Sequence, residues 1–89
     1  MSTPKKLVQY TVTAGGSGES ISPGLSISTT TLVMQANAEI MVGDEAGQEL
    51  AIAVNNVFTS SGEEINLRDI YVRAASGTVI SVTYYEDLI

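Results

Sequence analysis

The chain has no cysteine, no histidine and no tryptophan. Without cysteine there is no disulfide and no thiolate nucleophile; without histidine, the imidazole base of Ser–His–Asp and Cys–His arrangements is missing. The usual nitrogen and sulfur ligands of zinc are absent together. Basic residues are scarce as well: four Lys and Arg stand against ten Asp and Glu, for a net charge of -6. No Lys or Arg falls between Lys6 and Arg68, while seven acids do (Glu19, Glu39, Asp44, Glu45, Glu49, Glu63, Glu64). A nucleic-acid binder needs a basic stripe, so this balance excludes that class and leaves a solvated acidic surface.

Long apolar runs are also lacking. No stretch approaches the ~20 residues of a membrane-spanning helix, so no membrane partner is expected. The N-terminal "MSTPKKLVQYTVTA" carries a lysine pair, but Gln9, Tyr10 and Thr11 interrupt any leader-like core. The expectation is synthesis in a cytoplasm, with any later location reached as part of an assembly. At 89 residues the chain is read as a single domain, 1–89, with residues 1–6 as an N-terminal arm. Having neither disulfide nor zinc to staple so small a core, it is expected to gain burial from an oligomer or a larger partner surface.

What is present reads as strands and turns. In "KLVQYTVTA" (6–14), alternation puts Val8, Tyr10 and Val12 on one face. Ser22-Pro23-Gly24-Leu25 has type II turn chemistry, with proline second and glycine third. "LSISTTTLVMQA" (25–36) is a β-branched run containing at least one strand. "AEIMV" (38–42), the turn "GDEAG" (43–47) and "QELAIAVNN" (48–56) make a hairpin with Leu50, Ile52 and Val54 on one face. Ile65 and Leu67 share one parity and Ile70 and Val72 the other, which predicts a bend, bulge or sheet corner near Arg68-Asp69. After "AASG" (74–77), Ile80, Val82 and Tyr84 point one way and Val79, Thr83 and Tyr85 the other. About seven to eight short strands with regular turns give an all-β fold, a small antiparallel β-sandwich or a jelly-roll-like barrel.

Chemistry-bearing constellations are thin. A Ser–Lys pair would draw on Lys5 or Lys6, both beside Pro4 at a chain end. A carboxylate pair of the glycosidase type needs a cleft that a small sandwich rarely offers. Asp44, Glu45 and Glu49, with Glu39 nearby, form the best oxygen-ligand cluster, but their spacing does not fit a calcium loop. An acidic hairpin tip in water accounts for them. "GGSGES" lacks the lysine and following helix of a phosphate cradle and reads as a turn. No catalytic, metal or cofactor site is assigned, and no enzyme activity is expected. Tyr71 and Tyr85, on the faces away from the core, are candidate contact residues, because exposed tyrosines suit protein interfaces and sugar-stacking platforms.

Two stretches, "EIMVGDEAGQEL" (39–50) and "INLRDIYVRAASGTVISVTYYE" (65–86), resemble small all-β structural proteins of tailed bacteriophage virions. That group includes capsid decoration (cement) proteins and other head- or tail-associated subunits. The resemblance implies a non-enzymatic virion protein, assembled in the host cytoplasm, that binds the major capsid protein or other virion subunits. It also implies a homo-oligomer, for which a trimer is the expectation. Lys5, Lys6, Tyr71 and Tyr85 are the expected partner-interface residues, the lysines meeting an acidic patch on a neighbouring subunit. A neck, tail or fibre subunit is the alternative position, and a small carbohydrate-binding module the alternative class.

Overall fold

The computed structural model describes residues 5–24 and 26–87, the last without its side chain. Among the described residues eight strands run in order: β1 (Lys5–Thr13), β2 (Glu19–Ser20), β3 (Ser28–Ala36), β4 (Ile40–Asp44), β5 (Gly47–Ile52), β6 (Val57–Asn66), β7 (Tyr71–Arg73) and β8 (Val79–Asp87). A single 3-10 turn, Leu67–Asp69, separates β6 from β7. The strands form two four-stranded antiparallel sheets, ordered β1-β8-β3-β6 and β2-β7-β4-β5.

The pairing has a simple rule. The first strand pairs with the last, the second with the seventh, the third with the sixth and the fourth with the fifth. A chain folded once into a long hairpin and then wound around a core gives this nesting, which is the jelly roll. Of the two architectures that alternation left open, a two-sheet jelly roll is the one observed.

Period-two alternation builds the core. Val8, Tyr84, Leu32 and Ser60 lie in one inward row across the first sheet; Tyr10, Val82, Met34 and Phe58 lie in the next. Ile40, Val42 and Val72 oppose them from the second sheet, with Ile21 and Leu67 closing the ends. Leu32, Met34, Leu67, Ile80 and Val82 are wholly buried. Polar groups that enter this core are matched, and among the described residues no buried side-chain N or O lacks a partner. The Tyr10 hydroxyl donates to the Ile21 carbonyl at 2.9 Å, tying the first sheet to the loop after β2. Its ring meets Tyr84 edge-on at 6.2 Å.

Local chemistry sets the corners. Gly24 takes φ +79, the left-handed value that the third position of a type II turn requires. The parity switch near Arg68-Asp69 is a sheet corner. There Asn66 accepts from the Arg68 N–H at 3.0 Å, and the chain leaves the first sheet for the second. The 45–46 turn joins β4 to β5, as the hairpin pattern predicts.

Two sequence expectations are corrected, and a stretch to which alternation assigns no element is placed: "VFTSSGEE" forms most of β6. Its alternating Ser and Thr hide the strand by leaving only Phe58 and Ile65 as inward apolar residues. β5 ends at Ile52, so Val54 lies in the following turn, 51% exposed. Leu50, although on the inward parity, is 53% exposed, because β5 is a sheet edge that overhangs the core. Lys5 and Lys6, expected in an arm, belong to β1 and pair in register with Asp87 and Glu86 of β8. The remainder of the expected arm, residues 1–4, lies outside the described residues, as does Leu25.

Candidate functional site

The two sheets present very different outer faces. On the first sheet, one outward row runs Gln9, Thr83, Val33, Thr59 and the next runs Thr11, Ser81, Gln35, Val57. The pairs Leu7–Tyr85, Thr31–Ser61 and Thr13–Val79 extend this face toward its ends. From Leu7 to Thr13 the face holds no Asp, Glu, Lys or Arg, in a chain of net charge -6. Its chemistry is hydroxyl, amide and aliphatic. Leu7, Val57, Val79 and Tyr85 are its exposed apolar members. Gln9 donates to the Thr83 hydroxyl at 3.3 Å and Gln35 to the Asn55 carbonyl at 2.7 Å, so the long polar side chains lie along the sheet.

Three of the four expected interface residues, Lys5, Lys6 and Tyr85, lie at one end of the first sheet. Lys5 and Tyr85 line a shallow depression with Glu64 and Glu86. Lys6 pairs with Glu86 at 3.6 Å. Both partners of that pair are exposed, where such a contact contributes little stability. Thr29 fixes the strand ends here. Its hydroxyl donates to the Tyr85 carbonyl at 2.6 Å and accepts from the Thr31 N–H at 3.2 Å, across the register shift in β3 and β6.

Tyr71 is elsewhere. It lies on the second sheet, half-buried, in an open cleft of about 520 Å³ with Asp44, Glu45, Ala46, Arg68 and Asp69. The Asp44 carboxylate is already used, accepting from the backbone N–H groups of Ala46 and Gly47 at 2.9 and 3.0 Å to close the β4–β5 turn. Glu49 does not join it in a cation cage. Among the described residues, no three of Asp, Glu, His or Cys come together to hold a metal. The cleft offers an aromatic ring, one guanidinium and carboxylates.

Two phenols on the core side of the first sheet are perturbed. Burial pushes the Tyr10 and Tyr84 phenols above the ordinary tyrosine value, with smaller contributions from Tyr84 on Tyr10 and from Glu86 on Tyr84. Both rings bear on packing rather than on proton transfer.

The uncharged face escaped sequence reasoning. Each contributing strand shows the signal, since alternate residues in 7–13, 31–35, 57–61 and 79–85 are all uncharged. Only the strand order assembles them into one surface. No family model matches this sequence, and no curated protein or solved structure matches it.

Proposed function

We propose that this chain is a non-enzymatic virion structural protein, a decoration subunit that cements the major capsid lattice through the outer face of the β1-β8-β3-β6 sheet. The observation that carries the reading is the absence of charge from that face. A buried interface core is depleted in charge, because an ion stripped of water and left unpaired costs several kcal/mol. Copies carrying -6 each repel one another when crowded on a lattice. Attachment through the neutral face directs those acids toward solvent. The resemblance of 39–50 and 65–86 to phage structural proteins supplies the virion context. The jelly roll is compatible with it, being common to viral capsid and lectin domains, though a fold alone does not decide a function.

The test is stoichiometric. Particles purified from a lysate of the source are analysed by quantitative mass spectrometry for copies of this chain per major capsid subunit. A simple integer fraction supports cement on the head lattice. A small number per particle moves the protein to the neck, tail or fibres, and absence from particles contradicts the virion reading.

One observation favours a second class. The Tyr71 cleft, with Arg68, Asp44 and Asp69 around an aromatic ring, is the arrangement a carbohydrate-binding module uses for stacking and hydrogen bonding. Titration with a panel of oligosaccharides, followed by tyrosine fluorescence in wild type and Tyr71→Ala, separates the two readings. A saturable change lost in the variant supports the sugar site, and no change in wild type removes it.

A further inference from the structure

A jelly roll of two open sheets has four edge strands, and an edge strand offers unpaired backbone groups to any other extended chain. Three of the four edges here are blunted. β2 is only two residues long. β5 carries the register shift opposite Val42 and Gly43, and Glu49. β6 carries the shift opposite Thr29 and Thr31, a glycine at φ +93 (Gly62) and the pair Glu63-Glu64. β1 carries charge only at its start, in Lys5 and Lys6, and from Leu7 to Thr13 it has none of these devices. It runs nine residues in unbroken register with β8, without proline, glycine or acid. Beside its inward side an apolar groove of about 460 Å³ opens between Tyr10, Val12, Ile21, Pro23, Ile27 and Tyr84.

We infer that β1 is a self-association edge, pairing antiparallel with β1 of a second copy about a two-fold axis through Tyr10 to make one continuous eight-stranded sheet. The register follows from the strand's own sequence. With Tyr10 opposite Tyr10, Gln9 faces Thr11, Val8 faces Val12 and Leu7 faces Thr13, so each outward and inward residue meets its own kind. The second copy's Val8, Tyr10 and Val12 present an apolar row to the groove. Charge fixes the direction. Lys5 and Lys6 stand at one end of β1. At the other end Glu19 is held against the strand terminus, its carboxylate accepting from the Gly15 N–H at 2.6 Å. Antiparallel pairing brings the lysines of each copy to Glu19 of the other, whereas parallel pairing stacks lysine on lysine.

Area sets the strength. A single strand pair plus the groove buries on the order of 1,000 Å² in total, the low end for a specific interface, so the pair is a weak dimer that dissociates on dilution. On a lattice it would double the uncharged face, joining it across the two-fold axis. The inference itself does not rest on the virion reading, since it concerns the purified chain alone.

Sedimentation equilibrium of the full chain from about 5 to about 500 µM tests it, that range bracketing a weak interface. The expected result is a monomer–dimer equilibrium at moderate salt. Lys5→Glu with Lys6→Glu, and separately Glu19→Lys, should each weaken it at least about tenfold, and the triple variant should recover most of the loss by restoring the pairs reversed. Thr11→Lys, an exposed outward change that leaves the core untouched, should also weaken it by crowding positive charge near the axis. Circular dichroism verifies that each variant is folded. A monomer throughout the range, a trimer, or a dimer indifferent to the charge reversals would overturn the inference.

Discussion

The two outer faces of this sandwich share a core but differ in how they are built. The face of the β1-β8-β3-β6 sheet is a regular ladder of uncharged residues, and its side chains hydrogen-bond sparingly. The face of the β2-β7-β4-β5 sheet is interrupted. Its two-residue β2, the register shift at Val42 and Gly43 and the Asp44 turn make a cleft edged with carboxylates and an arginine. On the proposed function, the lack of charge on the first face reflects what it meets. The second is held by specific backbone contacts, so its residues are constrained by folding itself. Stability and attachment should therefore respond to opposite faces.

The largest expected effect on stability is on the second face. Gly43 lies against the backbone of Gly47 and Gln48 where β5 folds back, and a β-carbon there collides with main-chain atoms that cannot rotate away. Gly43→Ala should cost about 2–3 kcal/mol, read as a lowered urea midpoint at unchanged slope. Next is Asp44→Ala, which deprives two turn N–H groups, those of Ala46 and Gly47, of their acceptor and should cost about 1 kcal/mol. Tyr10→Phe, which removes the tie from the first sheet to Ile21, should cost a similar amount, about 1 kcal/mol.

Buried Tyr84 and partly buried Tyr10 add a pH dependence on the core side. Their phenols sit above the ordinary value of 10.0, chiefly through burial. Below that pH both are neutral in folded and unfolded chains, and their contribution is fully present. As pH rises past it the unfolded chain releases its protons first, so stability falls until the folded-state values are passed. Alkaline denaturation beginning above about pH 10 is expected, with a shallower slope in Tyr84→Phe. The smallest effects belong to the uncharged face. Ser81→Glu or Thr59→Lys should move stability by no more than about 0.5 kcal/mol. A loss of several kcal/mol there would break the contrast.

Much of the fold is legible in the sequence because alternation is local. Ile80, Val82 and Tyr84 are buried and Val79 and Tyr85 exposed, as their parity requires. Pro23-Gly24 specifies its turn, and the Leu67/Ile70 parity break marks the corner. β6 was not legible, because Thr59, Ser60 and Ser61 are as common in turns as in strands and only pairing with β3 makes them a strand. The exposure of Leu50 was not legible either, since it depends on which strands become edges. The candidate site fared likewise. Tyr85 and the lysines were singled out one at a time, without the surface they border. The uncharged face needed Gln9, Thr83, Val33 and Thr59 to be neighbours, and strand order is a long-range property that no residue states alone.

The central claim is that attachment uses the uncharged face, and a matched pair of charge insertions tests it most directly. Ser81→Glu adds one acid to the middle of that face, and Ala51→Glu adds one to the exposed edge of the other sheet, so net charge changes equally. Both variants are titrated onto particles lacking the wild-type chain, and bound copies are counted. The account predicts at least about a tenfold loss of affinity for Ser81→Glu, from an unpaired charge buried at the contact, and less than about a twofold change for Ala51→Glu. Equal occupancy of the two variants, or loss confined to Ala51→Glu, would contradict it.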